Sequence, residues 1–307
     1  IEKSMREIYV PDEGKIFVQV DQSGAEALIV AYLGEKGKFR TLFENNVKPH
    51  VYVALMLFAD VWEKKMRRTS EDFWIKDIIA TPIPDLKKNP YWRDLDLLIK
   101  DSDNWSLDER YYYLAKQTCH SSNYGIAPPT FRMNILEKSG GKIVITKEDS
   151  ERFISTYHSL FPEIEGWHRS VQKQVEAHRM LFNCHGHPYT ISKYQINETD
   201  WKELYAWVPQ STVGEITNIA YIAMQSWIEQ NKLAWDLLAN THDSYLIQCP
   251  IDEVKECISK AKEFMEQEFS SPVDDVKFRM KSEAQAGFNW RPFKEHKNSQ
   301  GLKEIKL

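Results

Sequence analysis

The sequence predicts an α/β (α+β) fold in which β-strands near both ends of the chain flank a long helical region. Three observations predict it. A β-branched and aromatic run ends at an aspartate in Lys15–Asp21, a tight turn joins two short strands between Leu233 and Pro250, and most of the intervening segments are compatible with helices. We therefore expect one sheet to bring together strands that are far apart in the sequence.

The first organised unit is a strand, an acid, a turn and a helix. The turn-like Pro11–Gly14 precedes the strand Lys15–Asp21, so the aspartate lies at the carboxyl end of that strand. Ser23 and Gly24 make the next turn, and Ala25–Leu33 has a helical composition.

The middle of the chain is predicted to be helical. Three prolines interrupt Val61–Asp103 and break any long helix there. Leu107–Gly125 is compatible with a helix that Gly125 ends, and Lys147–His178 is compatible with a helical stretch that Pro162 divides.

The last third returns to β-structure. Gln210–Gln230 is predicted to be a helix, and Leu233–Pro250 is predicted to be a hairpin whose turn contains Asp243. An amphipathic helix is expected from Ile251 through Phe269, followed by a short strand at Val276–Met280.

Composition limits the class of protein. The 307 residues, of which 42% are hydrophobic and 12% aromatic, can fill the core of one large domain or two ordinary ones. The 40 basic and 45 acidic residues give a net charge of −5, which excludes a strongly basic nucleic-acid binder. Any surface that binds phosphate must therefore be local.

The compartment is predicted from cysteine usage and hydropathy. The four cysteines form no CxxC pair, which argues against a structural zinc site or a disulfide framework. The longest apolar run, Val51–Ala59, is far shorter than the roughly 20 residues needed to cross a bilayer, and no signal-peptide pattern begins the chain. We expect a soluble intracellular protein with no membrane partner, and the first residue, Ile1, suggests part of a longer chain.

Two carboxylates are the first candidates for chemistry. Asp21 ends a strand and Asp243 lies in a hairpin turn, so one sheet could bring them together to hold two divalent cations roughly 4 Å apart. Hard carboxylate oxygens suit Mg²⁺ better than zinc. Either aspartate alone would equally fit a cap or a solvated turn.

A helical stripe is the second candidate. Four side chains recur at every fourth residue and lie along one drifting helix face: Tyr112, Lys116, His120 and Tyr124. A lysine can neutralise triphosphate oxygens, and rings one and two turns further on can pack against a sugar and a base. Alone, the stripe would also fit an ordinary, partly buried aromatic face.

Three motifs in this order resemble those of the family A DNA polymerases, which include bacterial and phage replicative or repair enzymes. They are Asp21-Gln22-Ser23-Gly24-Ala25-Glu26, Lys116 followed eight residues later by Tyr124-Gly125, and Thr241-His242-Asp243-Ser244. The resemblance implies a right-hand architecture: an antiparallel-sheet palm from residues 1–33 and 202–307, and helical fingers from 34–201. The thumb and the exonuclease would be absent from this chain.

The resemblance also implies roles. Asp21 and Asp243 would bind two Mg²⁺ ions, for which Mn²⁺ could substitute, with the backbone carbonyl of Gln22 as a further ligand. Glu26 would exclude ribonucleotides and Lys116 would bind the triphosphate. The other implied contacts are Tyr112, His120 and Tyr124 at the deoxynucleoside triphosphate, and Gln210, Lys202 and His242 at the primer-template DNA. The implied activity is DNA-directed DNA synthesis in a bacterial or phage-infected cytoplasm.

The sequence departs from the family pattern at several positions. Tyr112 replaces the arginine that meets the triphosphate, His120 replaces a Phe or Tyr, and Ser244 replaces a glutamate. The spacing between Glu26 and Lys116 is longer than usual, so residues 61–103 would be an insertion. Such a segment could contact DNA or a partner, or it could be a tolerated surface insertion.

Two other functions fit parts of the sequence. A metal-dependent nuclease or phosphohydrolase would use paired acids, but it would not need the stripe on the predicted helix. A catalytically weak or inactive DNA-binding fragment or subunit would explain the departures. Cys184-His185-Gly186-His187 could suggest a metal site, but we favour a polar hairpin turn because Pro188 follows and there is no second ligand pair.

Overall fold

The computed structural model of the chain describes residues 3–106, 109–293 and 298–305. This part of the chain contains twelve α-helices: α1 Ala25–Leu33, α2 Lys38–Glu44, α3 Pro49–Leu57, α4 Ala59–Met66, α5 Ile75–Ala80, α6 Trp92–Asp101, α7 Tyr111–Asn123, α8 Pro128–Lys138, α9 Lys147–Leu160, α10 Pro162–His178, α11 Glu198–Asn231 and α12 Val254–Met265. Short 3-10 helices occur at Lys3–Ile8, Ile83–Lys88, Ser102–Asn104 and Ile251–Glu253.

Nine strands are found in the same described ranges: β1 Lys15–Gln22, β2 Met180–Phe182, β3 Pro188–Thr190, β4 Asp236–Thr241, β5 Ser244–Pro250, β6 Glu268–Ser270, β7 Lys277–Arg279, β8 Ser282–Gly287 and β9 Lys303–Glu304. Five of them form a sheet in the order β4-β5-β1-β8-β9, and two small sheets pair β2 with β3 and β6 with β7. Every neighbouring pair in the large sheet is antiparallel, as predicted.

The described residues form two compact units. The first unit comprises the chain up to Ile29, Phe182–His187 and the chain from Val208 onwards; the second comprises Val30–Leu181 and Pro188–Trp207. The large sheet lies in the first unit, which also includes residues 182–187. The assignment of residues 1–33 and 202–307 to a palm and of 34–201 to fingers stays a prediction.

The first unit is organised by the alternation of side chains along β1. Val18 and Val20 are fully buried on one face, while Phe17, Gln19 and Asp21 point to the other. We call the face of β1 that bears Asp21 the front of the sheet. The opposite face, the back, packs against α12, so the sheet has one apolar side covered by helix.

Polar contacts complete the back of the sheet. The hydroxyl of Tyr245 donates to the carbonyl of Ala261 in α12 at 2.8 Å. The buried side chain of Gln22 donates to the Val213 carbonyl at 3.1 Å and to the Thr217 hydroxyl at 2.7 Å, both in α11. The last residue of β1 is thereby tied to a helix behind the sheet.

The second unit has an aromatic core. The rings of Phe39 and Phe161 lie 5.0 Å apart between centroids, and Tyr157 packs at 5.0 Å from Phe161. Arg40 is fully buried, and its guanidinium is satisfied by the carbonyls of residues 31 and 34 at 3.1 and 2.9 Å.

Residues 61–103, which the sequence marks as an insertion, fold into α4, α5, α6 and short 3-10 turns rather than a loop. The segment has its own apolar contacts: Trp62, Phe73 and Leu95 are fully buried. The Trp62 indole donates to the carbonyl of Ala54 at 2.8 Å, which anchors α4 to α3. The segment is therefore part of the core of its unit.

Most predicted elements are confirmed, including β1, α1 and the break between α9 and α10 at Pro162. Within the predicted helix Leu107–Gly125, the structure shows α7 from Tyr111, while Leu107 lies outside the described residues. No described helix combines the length and apolar character that crossing a bilayer requires.

Two helix predictions were wrong in extent. The helix expected at Gln210–Gln230 is the 34-residue α11, which begins at Glu198 and contains Pro209. Proline removes one backbone donor, but buried residues on both sides, such as Val208 and Val213, hold the helix together. The helix expected through Phe269 ends at Met265, because Phe269 instead pairs with a residue of β7.

Candidate active site

Asp21 occupies the centre of a ladder at the end of the large sheet. In the register of β1 with β5 it lies opposite Ser244, and in the register of β1 with β8 it lies opposite Glu283. Directly opposed residues project to the same face of a sheet. The N–H of Gln22 donates to the carbonyl of Asp243 at 2.9 Å, so the hairpin turn is fastened beside Asp21.

The electrostatics of this ladder disfavour a negative charge on Asp21. Burial raises its pKa to about 7, and the charges of Asp243 and Glu283 add to the shift. A bound cation would offset this repulsion, so the end of the ladder could accept a positively charged ligand.

The turn between β4 and β5 places His242 beside Glu26. His242 has a φ of 36°, in the left-handed region that few non-glycine residues adopt. Its Nε2 lies 3.7 Å from Oε1 of Glu26, and this interaction is the largest cause of the raised pKa of His242; the charge of Asp243 contributes, while burial opposes it. The structure thus brings Glu26 and His242 to the same turn as Asp243.

Helix α11 passes next to this turn. A methyl group at Gly214 would lie 3.5 Å from the Nδ1 atom of His242. Gln210 lies one turn earlier on the same face of α11 and is half-buried. Asp21, Gln22, Glu26, Gln210, His242 and Asp243 therefore all belong to the first unit.

The residues present fit a magnesium site of the open kind. Within the described ranges, no group of three or more His, Cys, Asp and Glu side chains has the arrangement of a metal cage. Mg²⁺ does not require one, because it commonly binds through one or two carboxylates and completes its shell with water and substrate phosphates. Asp21 and Asp243 could supply such carboxylates, and Gln22, next to Asp21, could supply a backbone carbonyl.

The stripe lies on α7 of the second unit and changes character along its length. Lys116 and His120 are exposed, Tyr112 is half-buried and Tyr124 is buried. A spacing of four residues overshoots one helical turn by about 40°, so the last member is rotated by about 120° from the first. Tyr112, Lys116 and His120 lie on α7, whereas Tyr124 follows its last helical residue, Asn123, so the four residues do not share one helix face.

The exposed part of the stripe is electropositive. Burial lowers the pKa of the partly buried His50 to about 3, and the nearby charges of Lys116, Lys48 and His120 lower it further. The ring of His50 also contacts Tyr112, at 6.2 Å between centroids. Lys48 and Lys116 thus place positive charge near His50, although the chain as a whole is acidic.

The turn after α7 is held by a network behind it. The ring Nε2 of His168 donates to the carbonyl of Asn123 at 2.7 Å, and its ring stacks on Tyr205 at 4.1 Å. Burial lowers the pKa of His168 to about 4, which keeps the ring neutral at pH 7. Gly125 has a φ of 67°, and a methyl group there would lie 3.1 Å from the Tyr205 ring. The turn therefore has both a conformational and a steric need for glycine.

The remaining candidates lie outside the ladder and the stripe. Lys202 lies on α11 in the second unit, with its Nζ 3.6 Å from Oε1 of Glu198. Cys184–His187 is a turn, as favoured from the sequence: the N–H of Asn183 donates to the carbonyl of His187 at 3.1 Å, and Gly186 has a φ of 80°.

Sequence reasoning missed two residues of these surfaces. Glu283 was missed because β8 was not predicted, and only the strand register shows that it lies opposite Asp21. His50 was not among the candidates predicted from the sequence. No sequence signal indicated that Lys116 and Lys48 would lie close to it.

Comparison with known proteins gives a consistent picture. Residues 100–292 match the family model described as DNA polymerase family A. DNA polymerase I of Borreliella burgdorferi is 23% identical over 300 residues, which cover 94% of this chain and 26% of that protein. DNA polymerase I of Caldicellulosiruptor bescii is 22% identical over 293 residues, covering 94% and 28%. A DNA polymerase of Bacillus phage SP01 is 26% identical over 130 residues, covering 40% and 14%.

Among solved structures, the chain is similar to the POL domain of Pol1 from M. smegmatis, which was solved in complex with a DNA primer-template and a dNTP. The TM-score is 0.64 at 17% identity, over 94% of this chain and 42% of that one. The fold is thus that of a polymerase domain.

Because the family model covers more than half of the residues, the chain belongs to DNA polymerase family A. It spans about a quarter of the length of the two DNA polymerase I relatives.

Proposed function

We propose that this chain is the palm and fingers portion of a DNA-directed DNA polymerase, which adds deoxynucleotides to the 3′ end of a primer. The first unit would be the palm and the second unit the fingers. The observation that carries the proposal is the bond at the end of β1, where the Gln22 N–H donates to the Asp243 carbonyl at 2.9 Å and keeps the turn that bears Asp243 beside Asp21.

The reaction is an in-line displacement at phosphorus. The 3′-hydroxyl of the primer attacks the α-phosphate, a new P–O ester bond forms, and the bond to the β-phosphate breaks with release of pyrophosphate. Two bound Mg²⁺ ions would activate the attacking oxygen and neutralise the leaving group. Asp21, Asp243 and the Gln22 carbonyl would hold them, and the ladder would fix these ligands before substrate arrives.

The nucleotide contacts follow from charge and position. Lys116 and the cationic groups around His50 would neutralise triphosphate oxygens, and His120 and Tyr124 would pack near the sugar and base. Tyr112 cannot supply the charge of an arginine, so we assign more of the phosphate binding to Lys116. Glu26 would exclude a ribose 2′-hydroxyl from the palm side.

The DNA contacts would come from the turn and from α11. His242 and Gln210 lie around Gly214 in the first unit and would contact the primer-template, with His242 near the primer end. Lys202 would add a phosphate contact from the second unit. Thumb and exonuclease portions would come from outside this stretch of sequence. A bacterial or phage-infected cytoplasm would supply both substrates.

Primer extension by the purified protein with Mg²⁺ and all four deoxynucleotides tests the proposal. Asp243→Ala should lower kcat by on the order of 10³-fold or more, because it removes a ligand at the developing charge. DNA affinity, measured by fluorescence anisotropy, should change little. Glu263→Ala, an exposed acid on α12, is the matched control.

One alternative deserves the same assay. Tyr112, His120 and Ser244 depart from the family pattern, and these departures favour a catalytically weak or inactive DNA-binding fragment. DNA binding without extension by the longest natural form of the protein would support this alternative and contradict the proposed activity.

A further inference from the structure

Glu283 lies opposite Asp21 in the ladder of β5, β1 and β8, and the function proposed above gives it no role. It lies in β8, directly opposite Asp21, and is exposed at the front of the sheet. The hydroxyl of Ser23 donates to its Oε1 at 3.0 Å, which orients the carboxylate at the end of β1. Glu283 is therefore held beside the proposed metal ligands by both the strand register and a hydrogen bond.

The two flanks of Asp21 differ in charge. On the β5 side its partner is Ser244, which is buried and has its hydroxyl 2.6 Å from that of Thr241. On the β8 side its partner is a carboxylate. Together with Asp243 in the adjoining turn, Asp21 and Glu283 place three acids near the end of β1. Of the two strands that flank Asp21, only β8 has an acid opposite it.

An ionised carboxylate next to two others raises the electrostatic cost of the site unless a cation is bound. When cations are bound, such a carboxylate has a useful position. It can accept hydrogen bonds from metal-bound water and so fix the orientation of the inner ligands, as outer carboxylates do in other metal sites.

We propose that Glu283 is a positioning residue for the metal site of Asp21 and Asp243, supplying from β8 the auxiliary negative charge that Ser244 cannot supply from β5. This inference rests on the proposed function. It assigns Glu283 an outer role, through water, rather than direct contact with the reacting atoms. Ser23 is included as the residue that orients it.

Mn²⁺ binding tests the inference without requiring turnover. The protein is titrated with Mn²⁺ in the presence of primer-template DNA, and the EPR signal of free Mn²⁺ reports the bound fraction. Glu283→Gln should weaken Mn²⁺ binding by about 10- to 100-fold. Glu283→Asp, which keeps the charge, should recover part of the loss, and Ser23→Ala should cause a smaller loss, below about tenfold.

Glu256→Gln is the matched control, because Glu256 is an exposed glutamate on α12, behind the sheet. It should bind Mn²⁺ like the wild type. Thermal melting of each variant in EDTA checks that the fold is retained; Glu283→Gln is nearly isosteric and exposed, so its melting temperature should not fall.

The outcomes separate the two proposals. If Asp21→Asn loses Mn²⁺ binding and the wild type extends primers, but Glu283→Gln binds Mn²⁺ normally, the role of Glu283 is overturned and the proposed function stands. If Asp21→Asn binds Mn²⁺ like the wild type, or if the wild type extends no primer, the proposed function itself fails.

Discussion

The acidic ladder of the first unit and the stripe on α7 of the second unit position functional side chains by different means. In the ladder, strand pairing sets the neighbours of Asp21, and residues opposite one another necessarily share a face. On α7 a spacing of four residues drifts around the helix, so Lys116 is exposed while Tyr124 is buried. Strand register fixes which residues share a face, whereas a spacing of four residues along a helix places the members of one motif in different environments.

The difference suggests a division of labour. In the proposed function, the ladder would hold metal ions for the chemical step in a geometry that strand pairing fixes. The stripe would capture the nucleotide through the exposed Lys116. Substitutions in the two regions should therefore affect different kinetic constants.

Among the substitutions that compare the two regions, the largest change is expected for Glu26, which lies in the first unit together with the ladder. Glu26→Ala should lower discrimination against ribonucleotides by about 100-fold, because it removes the group that would oppose a 2′-hydroxyl. The measurement is the ratio of kcat/KM for deoxynucleotide and ribonucleotide insertion. An unchanged ratio would show that Glu26 is not the gate.

A somewhat smaller effect is expected at Lys116, on the stripe side. Lys116→Ala should raise KM for the deoxynucleotide by about 10- to 100-fold, since it removes charge-assisted hydrogen bonds to phosphate. DNA affinity should be unchanged, and Lys147→Ala, an exposed lysine on α9, should leave KM unaltered. A large fall in kcat with constant KM would break the proposed division of labour.

The smallest effect concerns stability at the end of the stripe. Gly125→Ala should lower the free energy of unfolding by about 1–3 kcal/mol, because the residue has a positive φ and the added methyl group would press on the Tyr205 ring. Gly140→Ala is the matched control: its φ is 64°, but nothing lies within 4 Å of the added methyl group. Urea unfolding of both variants separates backbone strain from contact. Equal losses would show that the ring plays no part.

The centre of the fold was predictable because its signals are local. The alternation in β1 and the tight turn before β5 each indicate structure within a few residues, and each includes an acid, Asp21 in β1 and Asp243 in the turn. The prediction of an antiparallel sheet was confirmed on this basis. The adjacency of Asp21 and Asp243 was predicted from the resemblance as well as from these two elements, and their catalytic role stays a prediction.

What could not be predicted depends on contacts between distant segments. The sequence of β8, Ser282–Gly287, has no β-branched residue, so it gives no strand signal. It becomes a strand because β1 offers a free edge, and the small buried Ala284 and Ala286 leave room for α12 behind them. Glu283 could not be predicted as a site residue, because it lies in this strand. Likewise, the close approach of Gly125 to the Tyr205 ring joins distant segments, and helical spacing gives no sign of it.

The end of β1 also determines which sequence changes the protein can tolerate. Asp21 points forward to the ladder, and the next residue, Gln22, points back and holds α11 through Thr217. Inserting or deleting a single residue in this strand would exchange the two, directing a carboxylate at the helix and an amide at the front. Natural variants should therefore accumulate substitutions here, while the number of residues between the turns at Gly14 and Gly24 stays constant.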